Sequence, residues 1–245
     1  MAEYENRVRS LDRSDVAIDA GLRAYMLRVY NYMLMGLALS GATAWVVATV
    51  PAVRQLFFVI PETGGYSLSA LGWVALLAPL GLVFFLGWRI QQMSLSAAQT
   101  TFWVYAALMG VGLAPVLLLY TGASVAQVFF ITAATFGAMS LYGYTTGRDL
   151  SSFGSFLFMG LIGIMIASLV NMFLHSGMMA FVISVIGVLI FTGLTAYDTQ
   201  SIKEQYAENW GEEANSKLAV FGALSLYLNF INLFQLLLNL TGERE

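Results

Sequence analysis

Five long stretches of the chain contain no Asp, Glu, Lys or Arg, and they dominate the pattern of the sequence. They run over residues 29–53, 63–88, 90–147, 150–197 and 218–242. A helix needs about 20 predominantly apolar residues to cross the ~30 Å hydrocarbon core of a bilayer. The three shorter stretches therefore predict one membrane span each, and the two longer ones predict two each.

Each of the two longer stretches must contain a turn. The turn signals lie at residues 120–124 and 175–177, where glycine and small polar residues interrupt the apolar run. The pattern thus predicts an all-α membrane protein, a bundle of seven transmembrane helices. Residues 1–28 form a charged tail, residues 29–240 the transmembrane domain and residues 241–245 a short C-terminal tail. The predicted helices cover residues 29–50, 67–88, 100–120, 123–143, 153–174, 177–200 and 218–240.

Composition agrees with this pattern and excludes several kinds of chemistry. Only 10% of the residues are charged, against about 25% in soluble domains. The chain has no cysteine and a single histidine, His175, so thiolate sites, bis-histidine haem and histidine-rich metal clusters are excluded. No patch of clustered Lys and Arg indicates nucleic-acid binding. We expect the lipid bilayer as surroundings, and no cofactor.

The basic residues predict the orientation in the membrane. The N-terminal tail and the connectors after the second, fourth and sixth spans share one side. Nine of the eleven basic residues lie there: Arg7, Arg9, Arg13, Arg23, Arg28, Arg89, Arg148, Lys203 and Lys217. This bias predicts a cytoplasmic N-terminus. A last segment that spans the membrane and one that is re-entrant would leave the bias almost equal, so the pattern does not choose between them.

Asp198 is the acid that touches a predicted span rather than a tail or connector. An ionisable group within a membrane helix is costly and is therefore a functional candidate. Asp198 lies at the C-terminal, partially negative end of the sixth span, which disfavours a charged carboxylate. It is a candidate proton sensor. The alternative is a juxtamembrane acid that only hydrates the end of the helix.

The last span carries a line of polar residues on one face. Their spacings of 4, 3, 3 and 4 match the helical repeat, and the members are Ser225, Asn229, Asn232, Gln235 and Asn239. Unpaired amides would not face lipid, so this helix is predicted to be central. Its polar face either bonds neighbouring helices or lines a hydrated pathway. Thr195, Ser225 and Asn171 are further candidates for pore lining or helix packing.

Four ordered motifs resemble the bacterial branch of the Bax inhibitor-1 family. They are residues 136–144 (FGAMSLYGY), 148–150 (RDL), 196–200 (AYDTQ) and 223–234 (ALSLYLNFINLF), and the resemblance covers nearly the whole chain. It implies a seven-helix bundle around one central helix, an inner-membrane location and no enzymatic activity. It also implies a pH-sensitive calcium leak, or a role in stress protection.

The resemblance further implies a gate of two acids, and here the chain departs from the family. The first position matches Asp198, but the second is Asn229. Two carboxylates titrate as a coupled pair, whereas an Asp–Asn pair has a single proton site. The family also places an arginine of the second helix at this site, and Arg89 has the corresponding helix and side. Asn232 lies one turn beyond Asn229 on the polar face.

Two functional hypotheses follow from these features. In the first, the protein conducts cations, with calcium as the expected ion, and Asp198 is the proton-sensitive gate with Asn229 as its partner. In the second, it conducts nothing and restrains a membrane partner such as a membrane-anchored protease through its charged tail. A small-molecule transporter is a third reading, weakened because the sequence has no detectable internal repeat.

Overall fold

The computed structural model describes residues 2–59, 67–90, 92–207 and 211–244, with side chains from residue 20 onward. This part of the chain forms eight α-helices and one short antiparallel strand pair. The helices are α1 (Ala2–Thr49), α2 (Pro51–Phe57), α3 (Ala70–Arg89), α4 (Leu95–Leu119), α5 (Gly122–Thr145), α6 (Ser151–Leu174), α7 (Gly177–Glu204) and α8 (Gly211–Thr241). The strands β1 (Phe58–Val59) and β2 (Ser67–Leu68) lie between α2 and α3.

Seven of these helices are long and apolar enough to cross a membrane: the Ala20–Thr49 part of α1, and α3 to α8. The prediction of an all-α, seven-span membrane protein is confirmed. The predicted turns are also confirmed, because α4 ends at Leu119 before α5 begins at Gly122, and α6 ends at Leu174 before α7 begins at Gly177.

Helix α8 lies at the centre of the bundle, as the polar face of the last span predicts. Of its most apolar window 61% is buried, against 6% for the peripheral helix α6. Helix α8 packs against α1, α4, α5 and α7, while α6 packs on α7 and α3 packs on α4. It is one unbroken helix of 31 residues. At about 1.5 Å per residue it is about 46 Å long, which is enough to span a bilayer completely.

The main core lies where α1, α4 and α8 meet. Phe102 and Tyr105 of α4 and Tyr227 of α8 are almost fully buried there. Their rings meet edge to face, with centroids 6.2 Å apart for Phe102 and Tyr227 and 5.6 Å apart for Tyr105 and Tyr227. Large aromatic side chains in this geometry contribute more than their buried area alone.

Glycine lets two helix pairs approach closely. A Cβ atom on Gly110 of α4 would lie 2.5 Å from the carbonyl oxygen of Ser40 in α1. A Cβ atom on Gly143 of α5 would lie 2.1 Å from the carbonyl oxygen of Ala196 in α7. Small residues are used in this way between membrane helices, where close backbone contact supplies much of the packing energy.

The structure differs from the predicted boundaries outside the apolar stretches. Helix α1 begins at Ala2, so the helix continues through the charged segment 2–28 without a break at residue 28. Helix α8 begins at Gly211, seven residues before the predicted start. Helix α2 and the β1–β2 pair, which the sequence pattern did not predict, follow α1. Charged residues indicate where the hydrocarbon core ends, but a helix can continue from the core into water. The end of an uncharged stretch and the end of its helix therefore need not coincide.

Candidate functional site

Asp198 and Asn229 are in direct contact. The side-chain amide nitrogen of Asn229 in α8 donates a hydrogen bond to Oδ2 of Asp198 in α7, at 2.8 Å. Asn229 is buried and Asp198 is partly buried. The contact lies between two helices that pack along much of their length. Among acids of the candidate spans, Asp198 lies furthest from a helix end, six residues before Glu204.

The nearest cation along the chain does not pair with Asp198. Lys203 follows it by five residues in the same helix, which is about 7.5 Å along the axis and about 140° around it. The Lys203 ammonium instead donates to the carbonyl oxygen of Tyr144 at 2.9 Å and lies 5.4 Å from the centre of its ring. Within the described residues, Asp198 makes no ion pair. Its polar partner is therefore a neutral amide.

A row of three hydroxyl groups, which the sequence pattern did not predict, lies next to the Asp198–Asn229 contact. The Tyr30 hydroxyl lies 2.6 Å from Oγ of Ser140, which lies 3.0 Å from Oγ1 of Thr199. Thr199 donates its own proton to the carbonyl oxygen of Thr195 at 2.8 Å. Each hydroxyl has one proton, so Ser140 donates to Thr199 and Tyr30 donates to Ser140. The row joins α1, α5 and α7 next to Asp198. Thr195 and Thr199 are one turn apart in the sequence, but this spacing does not identify partners in other helices.

A second unpredicted polar cluster lies in the main core. Ser40 of α1 donates to the carbonyl oxygen of Ala106 at 2.7 Å, and its Oγ lies 2.6 Å from the Tyr227 hydroxyl. Since the serine proton is used, Tyr227 is the donor to Ser40. Both residues are almost fully buried, and the bond joins α1 to the central helix. Tyr227 precedes Asn229 by two residues in α8, so this hydrogen-bonded pair lies close in sequence to the candidate site.

The other residues of the polar face have separate partners. Asn232 donates to the carbonyl oxygen of Leu228 in its own helix at 2.8 Å. Asn239 is exposed and accepts a hydrogen bond from the Tyr120 hydroxyl at 3.1 Å. Ser225 and Gln235 are partly buried. The face therefore makes one hydrogen bond to an acid of α7, one to Tyr120 and one within its own helix.

The remaining candidates lie apart from the Asp198–Asn229 contact or serve packing. Thr195 is fully buried and donates to the carbonyl oxygen of Phe191 in its own helix, at 2.8 Å. Asn171 accepts from the backbone N–H of Ser176 at 3.0 Å, which closes the turn between α6 and α7. Arg89 is exposed at the end of α3, and in the described residues no hydrogen bond or ion pair links it to Asp198. The structure thus brings Asp198 and Asn229 together, but not Arg89.

Gln200 anchors the connector between α5 and α6 to the segment that carries Asp198. Its Oε1 accepts from the backbone N–H of Leu150, and its Nε2 donates to the carbonyl oxygen of Arg148, both at 2.8 Å. One side chain therefore satisfies two backbone groups of a short connector. This explains structurally why residues 148–150 and 196–200 stood out together as motifs.

In the described part of the chain, no group of three or more His, Cys, Asp or Glu side chains is placed to hold a metal ion. The polar groups of the site are one carboxylate, side-chain amides and hydroxyls. This donor set can exchange protons at one position and can offer oxygen atoms to a passing cation.

Fold and site together define a multi-pass α-helical membrane protein whose central helix presents an amide to an acid of a neighbouring helix. Comparison with known proteins identifies the family. Residues 22–245 match the family model described as "Inhibitor of apoptosis-promoting Bax1", and the chain belongs to this Bax inhibitor-1 family. The resemblance carried by the four motifs is thereby confirmed.

The relatives are bacterial proteins of similar length. The chain is 49% identical over 232 residues to an uncharacterized protein of Caulobacter vibrioides, covering 94% of this chain and 93% of the relative. It is 45% identical over 242 residues to the inner membrane protein YbhL of Escherichia coli K12, covering 95% and 98%. An uncharacterized membrane protein of Streptococcus pyogenes is 38% identical over 227 residues, covering 93% and 96%.

Proposed function

We propose that the protein is a non-enzymatic, pH-sensitive cation leak of the bacterial inner membrane, with its N-terminus in the cytoplasm and calcium as the conducted ion. The observation that carries the proposal is the 2.8 Å hydrogen bond from Asn229 to Asp198 between α8 and α7. The inner-membrane location is supported by the YbhL relative, and the orientation by the distribution of basic residues.

The contact can act as a gate because its strength depends on the proton of Asp198. A hydrogen bond to an ionised carboxylate is roughly twice as strong as one between neutral groups. Ionised Asp198 therefore holds α7 more firmly against α8 than protonated Asp198 does. Protonation loosens the contact, so cation flux rises as the pH falls. Asp198 is the titrating group of the contact, because the amide of Asn229 keeps its protonation state over this pH range and the Lys203 ammonium donates to Tyr144 instead.

Calcium suits the oxygen atoms available along this face. It prefers carboxylate and amide oxygen ligands and tolerates irregular geometry. The side chains of Asp198, Asn229 and Asn232 would supply such ligands one after another. A single carboxylate with neutral amides binds weakly, and weak binding allows an ion to leave as well as enter.

The test is calcium uptake into proteoliposomes between pH 6 and pH 8. The wild-type protein is expected to conduct more at pH 6, and Asp198→Asn is expected to remove the dependence on pH. Asp149→Asn is the matched control. Two hydrogen bonds from Ser151 hold the pKa of that exposed carboxyl below its usual range, so Asp149 stays ionised throughout. If flux through Asp198→Asn keeps the wild-type pH profile, Asp198 is not the gate.

A second substitution tests the role of the partner residue. Asn229→Asp places two carboxylates at 2.8 Å heavy-atom distance, where they would share a proton and titrate as a coupled pair. We expect the pH dependence to become steeper. Asn239→Asp, an exposed position on the same helix, is the control and should leave the profile as it is. A profile of Asn229→Asp that matches the wild type counts against the pairing.

One observation favours the rival regulatory function. Helix α1 begins at Ala2, although the uncharged stretch of its span begins only at residue 29, so a charged helical segment precedes the apolar part of the helix. Such a segment could contact a membrane partner such as a membrane-anchored protease, and a stress-protective role would follow. Deletion of residues 2–19 separates the two functions. If the deletion abolishes stress protection in cells while calcium flux is unchanged, the regulatory function is supported. If stress protection is lost only when Asp198 is replaced, the leak is supported.

A further inference from the structure

A groove runs along the bundle between α1 and α5, and nothing in the proposed leak uses it. Its volume is about 680 Å³, within the range of roughly 300–1,000 Å³ typical of small-molecule sites. Phe136 of α5 and Phe230 of α8 lie at its base, with ring centroids 5.6 Å apart. Tyr30 and Ser140 join the two walls by one hydrogen bond of 2.6 Å, but α1 and α5 otherwise make few close contacts, so the groove is open towards the lipid.

The length of the groove matches one leaflet of a bilayer. On α1 the lining residues run from Arg23 to Leu34, and on the antiparallel α5 they run from Tyr144 to Ala133. Eleven steps of about 1.5 Å give about 16 Å on each wall. Half of a hydrocarbon core of ~30 Å is ~15 Å. A groove of this depth accommodates the acyl chain of a lipid from the leaflet on the Arg23 side.

Polar groups are unevenly distributed along the groove. The deeper part is lined by apolar side chains such as Met33, Leu34 and Ala133. Arg23 lies at the mouth, is exposed, and has no hydrogen bond or ion pair within the part of the chain that the structure describes. Among the described side chains, the Arg23 guanidinium at the mouth has no ion-pair or hydrogen-bond partner, and it lies above an apolar channel. That arrangement is complementary to an anionic headgroup attached to an acyl chain.

We propose that this groove is a binding site for an anionic phospholipid, with the phosphate at Arg23 and one acyl chain between α1 and α5. A guanidinium binds phosphate through two parallel hydrogen bonds, which an ammonium cannot do. A diacyl phospholipid is the expected occupant because it already lies in the leaflet beside the open side of the groove, with its phosphate at the level of Arg23. A bound chain would cover Phe136 and Phe230 and fill the space between two helices that both border the hydroxyl row.

The groove offers a steric variant with a matched control. A Cβ on Gly137 would meet no atom within 4 Å, although Gly137 lines the groove. Gly137→Leu therefore adds its Cβ in open space and places a larger apolar side chain at the groove. Gly163 on α6 also has open space around its Cβ but lies outside the groove, so Gly163→Leu is the control. Arg23→Gln removes the charge, and Arg148→Gln removes another exposed arginine at the same end of the bundle.

The experiment is native mass spectrometry of the full-length, delipidated protein in detergent, titrated with phosphatidylglycerol or with phosphatidylcholine of the same acyl chains. Both lipids carry a phosphate, but the quaternary ammonium of phosphatidylcholine makes its headgroup neutral overall. We therefore expect Arg23 to give phosphatidylglycerol a preference of roughly tenfold. Arg23→Gln should abolish the preference and Arg148→Gln should keep it. Gly137→Leu should weaken binding of both lipids, while Gly163→Leu should bind as the wild type does.

Several results would overturn the proposal. Equal binding of the two phospholipids would show that the charge of Arg23 does not select the lipid. A preference that survives in Arg23→Gln would show the same. Equal lipid binding by Gly137→Leu and Gly163→Leu would show that the lipid does not bind in the groove. Oleic acid that binds more tightly than phosphatidylglycerol would make a fatty acid the occupant, and a protein dimer without bound lipid would make it a second copy of this chain. Arg23 is exposed, so we expect Arg23→Gln to fold like the wild type.

Discussion

Replacing Gly143 with alanine tests whether the close approach of α5 to α7 positions the candidate site. The added Cβ would lie 2.1 Å from the carbonyl oxygen and 2.8 Å from the carbonyl carbon of Ala196. Both are backbone atoms, so no side-chain rotation can relieve the clash. The two helices must separate by about 1 Å or more to reach an ordinary van der Waals distance of about 3.5 Å. Ala196 precedes Asp198 by two residues, so the displacement reaches the acid.

The size of the effect follows from the packing. Overpacking in a well-packed core costs about 1–3 kcal/mol, and a backbone partner places Gly143→Ala at the upper end of this range. The separation also lengthens the 3.0 Å hydrogen bond between Ser140 and Thr199. Gly137→Ala, on the same helix, meets no atom within 4 Å and gains up to about 1 kcal/mol of helix propensity. The two variants should therefore differ by about 3 kcal/mol in the free energy of unfolding.

The measurement is the midpoint of thermal unfolding, Tm, of detergent-solubilised protein, read from the fluorescence of its five tryptophans. A chain of this size shifts by about 2–4 °C per kcal/mol, so the difference in Tm should be on the order of 10 °C. The same pair in the proteoliposome assay should show altered pH dependence only for Gly143→Ala. If the two variants unfold within about 2 °C of each other, the close approach does not constrain α5 and α7, and the reasoning fails.

Two further substitutions test the contacts around the site. Ser140→Ala removes the middle of the hydroxyl row and its bond to Thr199, which should cost about 1–2 kcal/mol and lower Tm by roughly 2–8 °C. Ser168→Ala, at an exposed position on α6, should leave Tm unchanged. Gln200→Leu frees the backbone N–H of Leu150 and the carbonyl of Arg148, and should speed hydrogen exchange of the Leu150 amide. Protection of that amide equal to the wild type would show that Gln200 does not hold the connector.

The membrane architecture was predictable because the bilayer imposes a one-dimensional constraint. A span must be long, apolar and uncharged, and each of these properties can be counted along the chain. The seven spans, the two turns and the central position of the last helix followed from that constraint. The short helix α2 and the β1–β2 pair did not, because they lie outside the hydrocarbon, where charge and length restrict the backbone much less.

The candidate site was predictable in part, because a polar or charged side chain is energetically unfavourable within a membrane span and therefore indicates a functional position. Asp198 and Asn229 stood out because a carboxylate and an amide are expensive in a span, and their contact is present at 2.8 Å. The row of hydroxyls from Tyr30 to Thr199 did not stand out. Hydroxyl residues are common in membrane helices and can bond their own backbone, so their spacing carries little information about partners in other helices.

The sequence by itself determined which segments enter the membrane, which side carries the basic residues, and which acid is out of place in its span. These features depend on transfer from water to hydrocarbon, which acts on each residue according to its own chemistry. Only the tertiary structure decided that Arg89 lies apart from the Asp198–Asn229 contact, that Gly143 places α5 against α7, and that α1 and α5 leave a groove between them. These depend on how helices rotate and pack against one another, which no single helix encodes.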